Sequence, residues 1–162
     1  MVCPLVNFMI LTLKSDLFSS VPYDTVSLTG LSEMIFISAR NLRTLHVNLR
    51  TLHVMTTLML SISDELKALA GNNVLQVLKI SFVMGGCESE CYIEDAFRSL
   101  EEVLMDPGWS ALVCVSIDIE VECCREAAKR KMYSVPEMYL GRLLSRKILS
   151  YECEDFVYNF VE

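Results

Sequence analysis

The chain has 162 residues, 52% of them hydrophobic and 22% charged, which is enough apolar material for one folded core and too much for a disordered chain. Its 14 Lys and Arg face 21 Asp and Glu, a formal net charge of −7, and no basic stripe offsets the resulting repulsion of phosphate backbones, so no nucleic-acid partner is expected. The longest apolar stretch near the start, Leu5 to Leu13, is far short of the roughly 20 residues that span a bilayer, so no membrane association is expected either.

That first stretch reads as a buried strand over Phe8 to Leu13. A signal peptide is the alternative, but no Lys or Arg precedes the stretch, Pro4 sits at its head, and no small-x-small cleavage site follows. Ser15 to Ser20 reads as a turn or short helix, and Leu31 to Ser38 is ambiguous between strand and helix. Next come two identical heptapeptides, Asn41–Val47 and Asn48–Val54, both NLRTLHV. Ser63-Asp64-Glu65 reads as a helix start with Ser63 as N-cap and acids in the first turn, and Gly71 as its C-cap. The segment VLQVLKISF, from Val74 to Phe82, is a buried-strand candidate broken by Gly85-Gly86. Ile93 to Met105 is the clearest helix: Ile93, Phe97, Leu100, Val103 and Leu104 fall on one face, Glu94, Asp95, Arg98, Glu101 and Glu102 mainly on a solvated one. Asp106-Pro107-Gly108 ends it. Val113, Val115, Ile117, Ile119 and Val121 then alternate with Cys114, Ser116, Asp118 and Glu120, the pattern of a strand with two unlike faces. Helices are expected over Glu122 to Lys131 and Pro136 to Lys147, a last strand over Ile148 to Cys153, and then an acidic, aromatic tail.

One pattern recurs. Leu-x-x-Leu-x-Val or a close variant begins at Leu5, at Leu42 or Leu49, at Leu75 and at Leu112, which is near the strand signature of leucine-rich repeats, although the intervals are longer and less even. No Pro/Gly/Ser-rich linker divides the chain. The expectation is one domain over residues 1–162: an α/β, irregular leucine-rich-repeat-like solenoid fragment with a curved parallel sheet and helices on the outer face. The tandem heptapeptide poses a register problem. Seven is odd and the strand period is two, so one continuous strand cannot hold both copies with the same face inward. The second copy is favoured as the strand, because Met55 to Leu60 can extend it, and the other copy is then surplus to the sheet.

The segments LRTLHV, LQVLKISF, EDAFRSLEEVLMDPGWSAL leading to VCVSIDIEV, and LGRLLSRKILSYE, in that order, resemble the C-terminal repeat region of the divergent F-box proteins of mushroom-forming fungi, most clearly over residues 42–153. The resemblance implies repeats that hold the substrate of a cullin-type ubiquitin ligase, joined to an N-terminal F-box that docks its adaptor. No Leu-Pro-x-Glu-like F-box segment precedes the first repeat here, so the family pattern is only partly met.

No catalytic pattern stands out. There is no GxGxxG, P-loop or GxSxG, and no spacing supports a Cys/His nucleophile pair. His46 and His53 are twins of the duplication; on a helix they would share a face, on a strand they would not. Cys87-x-x-x-Cys91 could supply two zinc ligands but lacks a second pair, and Cys123-Cys124 is adjacent. The seven cysteines are odd in number and irregularly spaced, as expected of reduced thiols in an intracellular protein of the cytoplasm or nucleus. Met55, Met59, Met84 and Met105 lie in or beside apolar runs and are expected to fill core space. No catalytic residue, metal or cofactor is therefore expected. The expected function is non-enzymatic binding of a protein partner through the exposed sheet face, where alternation places His46 or His53, Lys79, Ser81, Ser116, Asp118 and Glu120. The alternative is a truncated or degenerate structural remnant without a partner of its own, which predicts self-association through uncapped solenoid ends.

Overall fold

A computed structural model describes residues 8–14, 41–50, 55–71, 73–85, 91–122 and 126–155. Five strands, β1 (Phe8–Lys14), β2 (Thr44–Arg50), β3 (Val77–Gly85), β4 (Cys114–Glu122) and β5 (Leu149–Asp155), form one sheet in the order β1-β2-β3-β4-β5. Every neighbouring pair is parallel. The helices are α1 (Met55–Leu69), α2 (Cys91–Leu104), α3 (Glu126–Tyr133), α4 (Val135–Tyr139) and α5 (Gly141–Ser145), with a 3-10 turn at Pro107–Trp109. The protein is thus α/β with a parallel sheet.

Register and burial show which side the helices cover. Leu45, Leu78, Val115 and Leu149 form one row across β2 to β5; Val47, Ile80, Ile117 and Tyr151 form the next; Leu49, Phe82, Ile119 and Cys153 the third. From β2 to β4 these residues are buried, and those of β5 pack against the same core. Opposing them are Leu58, Met59, Ile62, Leu66 and Leu69 of α1, Ile93, Ala96, Phe97, Leu100 and Leu104 of α2, and Met132, Val135, Tyr139 and Leu143 of α3 to α5. The Phe82 and Phe97 rings meet at 6.3 Å between centroids, tilted by 42°. Strands added in sequence order by crossovers of one hand place every helix on the same side.

The chain repeats itself in space as well as in sequence. Leu42, Leu75 and Leu112 are all buried three residues ahead of Leu45, Leu78 and Val115. The residues after Leu42 and Leu75 make the same bonds to the next unit: Arg43 O accepts from Gln76 N and Val77 N at 2.8 and 2.9 Å, and Gln76 O accepts from Val113 N and Cys114 N at 2.9 and 3.1 Å. Four residues before Leu75 and Leu112 stand Gly71 and Gly108, and Gly71 N donates to Gly108 O at 3.1 Å. Gly71 has φ +84°, and a Cβ on Gly108 would lie 2.4 Å from Gly71 N. Only glycine lets the two turns touch.

The tandem heptapeptide resolves differently from the expectation. The first copy carries the signature, with Leu42, Leu45 and Val47 buried, and β2 runs on into the second copy through Asn48, Leu49 and Arg50. The second copy is not surplus. Its seven-residue shift changes parity, but Leu42 precedes the strand at even parity, so its copy Leu49 lands on the odd parity of Leu45 and Val47 and is buried with them. Met55 to Leu60 do not extend a strand but open α1, which begins eight residues before Ser63. Ser63 is therefore no N-cap; buried in mid-helix, its hydroxyl donates to Met59 O at 2.9 Å. In β1 the register pairs Met9 and Leu11, rather than Phe8 and Ile10, with Leu45 and Val47. Both parities of that strand are apolar, so alternation alone gave no phase.

Other expectations shift less. The helix expected over 122–131 spans Glu126–Tyr133. The one expected over 136–147 is broken at Leu140 into α4 and α5 and ends at Ser145, two residues before Lys147, whose φ is +58°. Glu101 is buried rather than solvated: Oε1 accepts from Arg142 N at 2.7 Å and Leu143 N at 3.3 Å, and Oε2 pairs with Arg142 Nε at 3.0 Å. It caps α5 from α2, a role its helical position does not reveal. Gly71 does close α1. Met59 is fully buried and Met105 partly so, as core filling requires. Residues 15–20, 31–38, 51–54 and 156–162 lie outside the described residues, as do Leu5, His53, Cys3, Cys87, Cys123 and Cys124. Cys91 is the first residue of α2.

Candidate functional site

The other side of the sheet is built from the alternate residues. Among the described residues no element packs on it. Strand period alone sends Lys79, Ser81, Ser116, Asp118 and Glu120 there once Leu78, Ile80, Ile117 and Ile119 face the helices. Register sets them in two rows, His46-Lys79-Ser116-Ser150 and Asn48-Ser81-Asp118-Glu152, followed by Val83-Glu120-Glu154. Glu120, Ser150, Glu152 and Glu154 are exposed and the others half-buried.

Five of the seven residues expected on this face form one hydrogen-bonded group. Asp118 is its centre. Lys79 Nζ lies 2.5 Å from Oδ2, Ser81 Oγ donates to Oδ2 at 3.3 Å, and Ser116 Oγ donates to Oδ1 at 3.0 Å. His46 Nε2 lies 3.0 Å from Ser81 Oγ. With the Ser81 proton directed to a carboxylate that only accepts, His46 is the donor to Ser81 through Nε2–H. Burial alone would raise the Asp118 pKa; the bonds from Lys79, Ser116 and Ser81 and the charge of Lys79 outweigh it, and the pKa falls below the usual carboxylate value. The bond to Asp118 raises Lys79, against a smaller opposing effect of burial, with the charges of Asp118 and Glu152 adding to the rise. Burial and then the charge of Lys79 lower His46, against the pull of Asp118. The lowered pKa favours the neutral imidazole, consistent with a single-proton donor.

Ser, His and Asp in contact invite comparison with a hydrolase triad, but the order is wrong. A triad places His between Ser and Asp so that the ring takes the serine proton. Here Ser81 is in the middle, its proton points to Asp118, and His46 gives a proton instead of receiving one. The group is a hydrogen-bonded polar platform spanning three strands.

Glu120 stands beyond the group, with no ion pair or hydrogen bond among the described residues. Sequence reasoning missed Asn48, Ser150, Glu152 and Glu154 on this face. The alternation Leu149, Tyr151, Cys153 against Ser150, Glu152, Glu154 carried the signal. Tyr151 shows why it is easily overlooked. The side chain turns inward, its hydroxyl donates to Met132 O at 2.6 Å, and burial pushes its pKa well up, helped by nearby Cys153, Glu137 and Tyr133.

No three His, Cys, Asp or Glu side chains converge to hold a metal ion among the described residues. No described helix is long and apolar enough to cross a membrane. No protein-family model, curated protein or solved structure matches the chain.

Proposed function

We propose that this protein is a non-enzymatic protein-binding module that presents the open face of its sheet to a partner. The observation that carries the reading is the polar face of the sheet, on which no element packs among the described residues. Parallel sheets are normally covered on both sides, yet here one face carries ordered polar rows and a hydrogen-bonded platform from His46 to Asp118. Such a face offers a partner fixed donors, acceptors and charges at little ordering cost.

The same reading takes the chain as part of a leucine-rich-repeat-like half-solenoid with a curved sheet. Support comes from the equivalent bonds at Arg43 and Gln76 and from the stacked turns at Gly71 and Gly108, because a solenoid unit contacts its neighbours through the same positions each time. Within that frame, the resemblance to fungal F-box repeats makes the bound partner the substrate of an intracellular ubiquitin ligase, in the cytoplasm or nucleus.

Pull-down from a cell extract with the wild type and with the Lys79→Ala/Asp118→Ala/Glu120→Ala variant tests the face. Proteins retained by the wild type are expected to be lost with the variant while its fold, read by circular dichroism, is kept. Equal recovery of every protein by both forms removes the reading.

A further inference from the structure

We propose that the two edges of the sheet are complementary to each other: β1 of a second copy pairs in parallel with the outer edge of β5, so that copies of this chain associate head to tail. The contact uses the strand edges rather than the polar face, and it stands whether or not that face binds a partner.

Among the described residues β1 and β5 are the edges of the sheet. An edge strand offers a row of backbone donors and acceptors to another strand, and proteins blunt such edges with proline, bulges or a cover. Neither β1 nor β5 contains proline or glycine, and each keeps an unbroken register with its one neighbour.

The inward rows show what β5 lacks. The inward residues of β2 to β4 in these rows are at most 2% exposed, and each of those strands has a neighbour on both sides. Their counterparts Leu149, Tyr151 and Cys153 on β5 are only half-buried, with a strand on one side. Register supplies the residues that complete the rows. Met9, Leu11 and Leu13 of β1 are level with Leu45, Val47 and Leu49, and through β3 and β4 with Leu149, Tyr151 and Cys153. All four steps across the sheet are parallel. A fifth step of the same kind, made by a second copy, sets three apolar residues beside the three half-buried ones and removes apolar surface from water.

Charge selects the same pairing. Thr12, Asn48, Ser81, Asp118 and Glu152 form one outward row. Two residues further along each strand, Lys14 and Arg50 stand on β1 and β2, and Glu120 and Glu154 on β4 and β5. The basic end of that level is at one edge of the sheet and the acidic end at the other. Head-to-tail pairing brings Lys14 of one copy beside Glu154 of the next, about 4.8 Å between strands. Pairing β5 with a second β5 instead sets acids beside acids, which destabilises a sheet, and pairing β1 with β1 leaves the β5 rows open. The contact is therefore heterologous. It leaves one free edge of each kind, so it repeats.

Sedimentation equilibrium of the full chain tests this. The weight-average mass is expected to rise with concentration past that of two chains; a monomer throughout, or a mass that levels at two chains, overturns the proposal. Lys14→Glu and Glu154→Lys are each expected to weaken association by about tenfold, because a cross-strand attraction becomes a repulsion. Glu102→Lys, the same charge change on an exposed position of α2, should stay within about twofold of the wild type. Mixing the two single variants in equal amounts restores opposite charges at every contact, and so does the double swap Lys14→Glu/Glu154→Lys; both are expected to recover wild-type association. If neither recovers it, the pairing of β1 with β5 is wrong even where the single variants are weakened.

Discussion

The two faces of β3 share one backbone and differ in almost everything else. Leu78, Ile80 and Phe82 are buried against α1 and α2, while Lys79, Ser81 and Val83 look outward, none of them fully buried. On the inner face, shape and volume decide what is tolerated, because neighbouring side chains already fill the space. On the outer face, charge and hydrogen bonding decide, because solvent accepts any shape. A residue's effect should then follow its parity rather than its position along the strand.

The largest break in that contrast is a deletion that disturbs both faces. Removing residues 48–54 leaves the same chain as removing 41–47, so a surplus heptapeptide would make it harmless. The structure predicts otherwise. The deletion takes Leu49 from the inner face and the Asn48–Ser81 and Leu49–Phe82 pairings from β2 and β3. Urea denaturation should show a loss greater than the about 2–5 kcal/mol of a single buried Leu→Ala change; an unchanged midpoint would restore the idea of a redundant copy.

Neighbouring residues sharpen the comparison. Phe82→Ala removes a ring packed on Phe97 and should cost about 3–5 kcal/mol. Ser81→Ala, one residue away, breaks bonds to His46 and Asp118 and should cost about 0.5–1.5 kcal/mol. Similar losses by denaturant titration would erase the difference between the faces.

The smallest effect is a pH dependence confined to the outer face. The folded-state pKa of His46 lies below its ordinary value of 6.5, so the unfolded chain takes the proton first. Its contribution is complete above pH 6.5 and is lost as the pH falls through the folded value. Asp118, lowered from 3.8, follows the same sign in a more acidic window. His46→Gln should flatten the stability slope between about pH 7 and 5 and leave the acid limb unchanged; parallel profiles for variant and wild type would mean that the imidazole is not held neutral by the fold.

Most of the sheet was legible in the sequence because its code is local. Each strand among the described residues falls on or beside a strand candidate, although β2 begins in the first heptapeptide rather than the favoured second one, and the alternation in Cys114–Glu122 sorted buried from outward positions before any contact was known. Strand β1 falls where the apolar run placed it, but the register pairs Met9 and Leu11 rather than Phe8 and Ile10 with Leu45 and Val47, a choice that equally apolar alternate positions could not reveal. The start of α1 was missed because Met55-Thr56-Thr57-Leu58 reads as β-branched and apolar; packing of Leu58, Met59 and Ile62 on the sheet outweighs that preference. Of the outward residues, His46, Lys79, Ser81, Ser116 and Asp118 come together as alternation implied, but their bonding order was not legible.

By itself, then, the sequence determined the alternation of strand and helix, the parity of the polar residues in β3 and β4, and a repeated leucine followed by a strand. Those depend on neighbours within a few residues. Only the tertiary structure decided which heptapeptide enters the sheet, that Glu101 is a buried cap, that Gly108 must be glycine, and that Glu120 meets Glu154. Each of these depends on a partner 33 to 41 residues away, and register between strands, set by packing of the inner face, is what brings such partners together.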